Sequence, residues 1–124
     1  MSEALGDRLR AYALGFPGAH EDQPWGESVV KVDGKVFVFG PHVDADGRLG
    51  LSVKLPLSAA EVLSRPGAAP TGYGLGKAGW VSIRGIEAEE DELRRWLDES
   101  YRAVAKKRRI KERDGHLPAS LRAV

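Results

Sequence analysis

Apolar and polar positions along this chain follow two periods, and the switches between them mark its elements. Leu5, Leu9 and Tyr12 are spaced for one stripe of a first helix, which Ser2 can cap and Gly15 ends. Breakers run through Phe16–Gly26, so that stretch reads as a loop. Ser28–Val32 and Lys35–Phe39 are rich in β-formers and are separated by Asp33-Gly34, the strongest short hairpin signal. Gly40-Pro41 closes the second of these strands. Leu49, Leu51, Val53 and Leu55 then alternate with Gly50, Ser52 and Lys54, a strand with one buried face. After Pro56, Ser58 and Glu61 have the spacing of a capping box for a short helix that stops before Pro66-Gly67. A glycine-rich loop fills Ala68–Gly79. In the next strand, Trp80–Arg84, Val81 and Ile83 face inward and Trp80, Ser82 and Arg84 outward. Leu93, Leu97, Tyr101 and Val104, widened by Trp96, form the stripe of one long helix from Glu89 to about Ile110.

The predicted order is αβββαβα, an α+β fold in which an antiparallel sheet carries its helices on one face. A single domain covers residues 1–110. Asp114-Gly115 ends the last helix, and a basic, mobile tail occupies 111–124.

A two-residue turn pairs Val32 with Lys35, which predicts that Val30, Val32, Phe37 and Phe39 share one face. Val29, Lys31, Val36 and Val38 then share the other, where Ser52, Lys54, Trp80 and Arg84 join them. That open face suits either a contact surface or a cover formed by the tail or a loop.

Charge adds a second pattern. The chain has 19 basic and 18 acidic residues among 124. Between Glu87 and Glu99, seven acidic residues stand against Arg94 and Arg95; from Arg102 to Arg113, seven basic residues stand against Glu112. Within one helix, acids at the start and bases at the end match the macrodipole. The same basic block attracts phosphates. Cysteine is absent, which removes disulfides and thiolate chemistry. Arg8 and Arg10 interrupt any signal-peptide stretch, and no apolar run is long enough for a bilayer, so a cytoplasmic protein without membrane attachment is expected.

The familiar chemical motifs fail on context. Gly74, Gly76 and Gly79 spell a dinucleotide fingerprint but precede a strand, where the motif must open a helix. Thr71 and Ala78 spoil a phosphate loop around Gly76-Lys77. Asp44, Asp46 and Gly47 open like a calcium loop, whose twelfth position is Leu55 instead of a glutamate. His20, Glu21 and Asp22, with His42, lack the spacing of a metal site, and His116 lies in the tail. No catalytic constellation is visible, and neither a metal nor a cofactor is expected.

Several segments together resemble the MmcQ/YjbR-like family of small bacterial proteins. They are Phe16-Pro17-Gly18 through Glu21-Asp22, Pro24-Trp25-Gly26, Val30-Lys31-Val32 with Gly34-Lys35-Val36-Phe37, and Leu51-Ser52-Val53-Lys54-Leu55. Arg65-Pro66-Gly67, Gly76-Lys77-Ala78-Gly79-Trp80-Val81-Ser82 and Leu97-Asp98-Glu99-Ser100-Tyr101 complete the set. The resemblance implies a CyaY-like (frataxin-like) fold, also described as a double wing, and a DNA-binding label that rests on fold analogy. It brings no catalytic residues. Gly72-Tyr73-Gly74 departs from the Tyr-His of many relatives, and the first helix, with only Glu3 and Asp7, lacks an acidic ridge for iron.

Two expectations follow. The first is a non-catalytic module that meets DNA through Lys31, Lys54, Lys77 and Arg84, with Trp80 available for stacking and Tyr73 as a further contact candidate. Lys106, Lys107, Arg108, Arg109, Lys111 and Arg113 would add phosphate contacts. The second is a domain that binds a small aromatic molecule, or a protein partner, in a groove lined by Trp25, Tyr73 and Trp80. Either would act as a monomer or weak dimer.

Overall fold

A computed structural model describes residues 2–23 and 27–115, with side chains from Ala4 onward. Helix α1 (Ser2–Leu14) is followed by strands β1 (Ala19–Asp22), β2 (Val29–Val32), β3 (Lys35–Val43) and β4 (Leu49–Lys54). Then come the short helix α2 (Ala59–Leu63), β5 (Ala68–Pro70), a 3-10 turn (Leu75–Ala78), β6 (Trp80–Arg84), α3 (Glu90–Val104) and α4 (Lys107–Gly115). The strands make one six-stranded antiparallel sheet in the order β1-β2-β3-β4-β6-β5. The α+β class, with α1 and α3 against one sheet face, is as the alternation predicts. No helix among the described residues is long and apolar enough to cross a membrane.

The sheet is wider than expected because two stretches full of breakers still pair at its edges. β1 lies within the predicted loop and pairs Ala19 with Val32 and Asp22 with Val29. β5 pairs Ala68–Pro70 with β6. Edge positions tolerate the exposed charges of β1 and the proline of β5, since only one side of each strand must bond. β3 also continues past Gly40-Pro41, with a register shift between Phe39 and His42 that accommodates a residue lacking an N–H.

A second irregularity corrects the facing of β3. Val32 does pair with Lys35, but Lys31 pairs with Val36 and Val30 with Val38, leaving Phe37 as an extra residue. This bulge turns both Phe37 and Val38 into the core and sends Phe39 to the opposite face. There Phe39 meets Trp80 edge-on, with centroids 5.2 Å apart.

The bulge leaves Phe37 O and Lys54 N without a regular ladder bond, and Ser100 of α3 fills the gap. Its hydroxyl donates to Phe37 O at 2.5 Å and accepts from Lys54 N at 2.8 Å. Next to it, Tyr101 is fully buried, donates to Pro17 O at 2.7 Å, and packs on Phe16 (4.7 Å) and Phe37 (5.3 Å).

The predicted capping box is also corrected. Ser58 has αR geometry, not the extended conformation of a cap, and makes no cap bond. Glu99 of α3 supplies the acceptor instead, taking bonds from Leu57 N (2.9 Å), Ser58 N (3.0 Å) and Ser58 Oγ (2.6 Å). The Ser2 cap concerns a side chain outside the described residues.

The long C-terminal helix breaks. Ala105 is extended (ψ 151°), so α3 stops at Val104 and α4 starts anew, running past residue 110 to Gly115. The break lets α4 fold back on the domain. Arg113 lies over Phe16 (4.6 Å) and donates to the Tyr12 hydroxyl at 2.9 Å; Arg109 meets Asp33 at 3.3 Å. Arg109 crosses Gly18, where a Cβ would sit 2.8 Å from its Nε; that flexible side chain could move aside, and it is the φ of +75° that calls for glycine. Residues 116–124, including His116, lie outside the described residues.

Ser100→Ala should cost about 1–3 kcal/mol, because a buried carbonyl and a part-buried amide lose their partner. Urea unfolding of the variant checks this; a midpoint equal to wild type would mean that the bulge closes without the hydroxyl.

Candidate functional site

The sheet face away from α1 and α3 holds the residues that the sequence singled out, and their surroundings divide them. Lys31 lies 2.8 Å from Asp22, and Arg84 lies 2.5 Å from Asp44 and 3.3 Å from Asp46. Their charge is already answered within the chain. The Lys31 hydrogen bond, with help from the Gln23 backbone amide, holds the Asp22 carboxyl below its ordinary value of 3.8. Asp44 is held below the same value by the Arg48 backbone N–H first and by Arg84 second. Lys54 uses its backbone N–H on Ser100 and pairs with Trp80 across the ladder, and Lys77 is exposed on the 3-10 turn. Trp80 faces outward as predicted yet is only 8% exposed, packed against Phe39, so it offers no open face to a base. Tyr73 is the reverse. Its side chain is fully exposed (105%), and its φ of 60° is one that an L-residue holds at a cost of about 1 kcal/mol. Trp25 lies outside the described residues.

Between these groups lies a cleft of about 620 Å³. Phe39, Pro41, Leu75 and Tyr73 supply its apolar walls, and Ser52 and Thr71 line its polar side. Ser52 Oγ is 2.8 Å from Ser82 Oγ, which is 2.9 Å from Thr71 Oγ1. Three hydroxyls joined by two bonds keep one proton to donate outward. His42 closes one end; its ring lies over Gly50, where a Cβ would be 2.7 Å from His42 Nε2. Arg10, reaching across from α1, donates to Pro41 O at the same end. Sequence reasoning identified Tyr73 and the outward Ser52 and Ser82. It missed Phe39, assigned to the core by unbroken alternation, and His42, placed beyond the end of a strand that in fact continues.

The basic C-terminal block is also divided. Arg102, Arg109 and Arg113 turn inward, to Asp114 (2.6 Å), Asp33 (3.3 Å) and Asp98 (3.6 Å) respectively. Lys106, Lys107 and Lys111 are exposed and form no ion pair among the described residues. Arg108, 4.0 Å from Asp33, is 67% exposed at its side chain. Outward charge on α4 and the residue before it therefore comes from four residues rather than the whole block.

His20, Glu21 and Asp22 splay along the edge strand. Glu21 accepts from Ser28 Oγ at 2.8 Å, and Asp22 holds Lys31. No group of three potential metal ligands occurs among the described residues.

Residues 14–103 match the protein-family model described as YjbR. The match begins at the last residue of α1 and ends before α4. No curated protein matches the chain significantly.

Asp22, Asp44, Glu90 and Glu92 all have folded pKa values below their ordinary values of 3.8 and 4.5, chiefly through bonds to Lys31, the Arg48 amide, Arg8 and Arg65 respectively. A depressed carboxyl contributes stability above its unfolded pKa and loses it as pH falls through the folded one. Tyr101 has the opposite sign: burial pushes its hydroxyl up to about 12, so its contribution disappears as pH rises from 10 through 12. The thermal midpoint, followed by circular dichroism, should be flat from about pH 5 to 9 and fall on both sides. A midpoint still flat at pH 3 would show that these ion pairs contribute nothing.

Proposed function

The chain belongs to the YjbR family, and on that premise we propose that it acts by binding, without catalysis, taking a small planar molecule into the cleft of its open sheet face. One observation carries this reading: the 620 Å³ cleft combines apolar walls with a short row of convergent hydroxyls. That size and mixture suit a drug-sized ligand, whose ring the walls hold and whose polar group the hydroxyls orient. Trp80 supports the site from beneath by fixing Phe39, a different role from that of a stacking partner. The protein does this work in the cytoplasm.

Binding should be read from amide shifts in 15N-labelled protein against a library of planar aromatic fragments. Hits are expected to shift Ser52, Thr71, Leu75 and Ser82 together, and Ser52→Leu, which fills the cleft from an outward position, should abolish them. Hits that map elsewhere, or none at all, would refute the reading.

A second reading, contact with DNA, is favoured by the outward face of α4. Lys107 and Lys111 there, and Lys106 just before it, carry no ion pair among the described residues, and Arg108 is held only loosely, 4.0 Å from Asp33, whereas Lys31 and Arg84 on the sheet face are closely paired. Four phosphate contacts would weaken binding about a hundredfold between about 50 and 200 mM salt. Fluorescence anisotropy of a labelled duplex measures this, and Lys107→Glu with Lys111→Glu should remove binding. A slope unchanged by that double variant would exclude α4 as the contact.

A further inference from the structure

We propose that the occupant of the cleft is a planar organic cation. This rests on the reading of the cleft as a binding site and adds the charge and shape of its ligand. Charge around the cleft points the same way from three residues. Arg10 is the one formal cation lining it among the described residues, and it is doubly answered: Glu21 lies 3.4 Å from its Nε and Asp7 3.5 Å from its Nη1. Ser28, also in the lining, donates to the same Glu21 carboxylate. Glu27 lines the rim, exposed and without an ion pair among the described residues. One guanidinium in the lining thus stands against Glu27 on the rim and the two carboxylates that pair with it from outside. An anion entering here would meet these carboxylates, and the lining among the described residues offers it no guanidinium or ammonium that is not already paired. A cation would find Glu27 unpaired.

The aromatic groups supply the second half of the argument. Tyr73 is held at positive φ between Gly72 and Gly74, where a Cβ at either glycine would meet nothing within 4 Å. Its own ring is fully exposed, so the strained backbone is not repaid by packing within the chain. A ring kept at the mouth of a cleft under strain is placed for a ligand. Phe39 lines the same cleft from the sheet. Two aromatic groups beside an uncompensated carboxylate are the surroundings that favour a delocalised cation, through ring-quadrupole attraction and a charge pair together. The hydroxyl row then offers its spare proton to a ring heteroatom or carbonyl of the ligand. The cleft and α4 therefore have opposite preferences, a small cation for one and phosphates for the other.

The test uses the full chain and two dyes of similar ring size, cationic acridine orange and anionic 1-anilinonaphthalene-8-sulfonate, titrated by fluorescence. Acridine orange should bind with saturation and at least tenfold more tightly than the sulfonate. Glu27→Gln, an exposed change that leaves the fold alone, should weaken the cation about three- to fivefold, the range of an exposed charge pair. Tyr73→Ala should weaken it further, and Ser52→Leu should abolish it. If the sulfonate binds equally well, or Glu27→Gln changes nothing while Ser52→Leu still abolishes binding, the ligand's charge is wrong and the cleft reading stands. If neither dye binds at about 1 mM, or dye binding survives Ser52→Leu, the cleft reading falls and the cation with it.

Discussion

A single hydroxyl holds the two layers of this domain in register. Ser100 stands where β3 bulges at Phe37, and it bridges the Phe37 carbonyl and the Lys54 amide that a regular ladder would have joined directly. The first group is buried and the second partly so, and leaving them unpaired would be costly. The hydroxyl thus ties α3 to the middle of the sheet at one defined position. Its neighbours extend the attachment: Glu99 caps α2, Tyr101 fills the aromatic cluster around Phe16 and Phe37, and Asp98 meets Arg102 and Arg113. The Leu97–Tyr101 segment, part of the family resemblance, is framework throughout.

The same bulge builds the candidate site. Without the extra residue at Phe37, Phe39 would point into the core and Val38 out of it. With it, Phe39 crosses to the open face, rests on Trp80 and becomes a wall of the cleft. The second shift in β3 places His42 above Gly50, and the missing side chain at Gly50 gives the imidazole room. One feature of the backbone therefore serves stability on one face and shapes the candidate cleft on the other.

Electrostatics follow a related division. Much of this chain's charge is internal fastening, including Arg65 between Glu61 and Glu92, Arg84 between Asp44 and Asp46, and Arg109 against Asp33. α4, beyond the span that matches the family, has no buried residue of its own and is held by such pairs and by Arg113 over aromatic rings. Among the unpaired groups of the described residues, Lys107 and Lys111 stand on α4 and Glu27 on the rim of the cleft. That separation makes two binding surfaces of opposite preference physically consistent in one small domain.

The sequence by itself determined the α+β class, the Asp33-Gly34 hairpin, the inward faces of β4, β6 and α3, and the family, because each of these is written in local periodicity or in short contiguous motifs. It also marked Tyr73 as a contact candidate in a glycine-rich loop. The tertiary structure alone decided the rest. β1 and β5 are strands because a neighbour offers hydrogen bonds, not because their own residues favour extension. α2 is capped by Glu99 from 41 residues away, so the local Ser58–Glu61 signal is not used. The helix breaks at Ala105 so that Arg109 and Arg113 can reach partners distant in the chain. Trp80 is outward and yet buried, because a residue's facing is a local property and its exposure depends on what the fold lays over it. Phe39 joins the cleft through a bulge that shifts the two-residue period by one. Strand pairing, distant capping and bulges are set by contacts between segments, and periodicity within a segment carries no record of them.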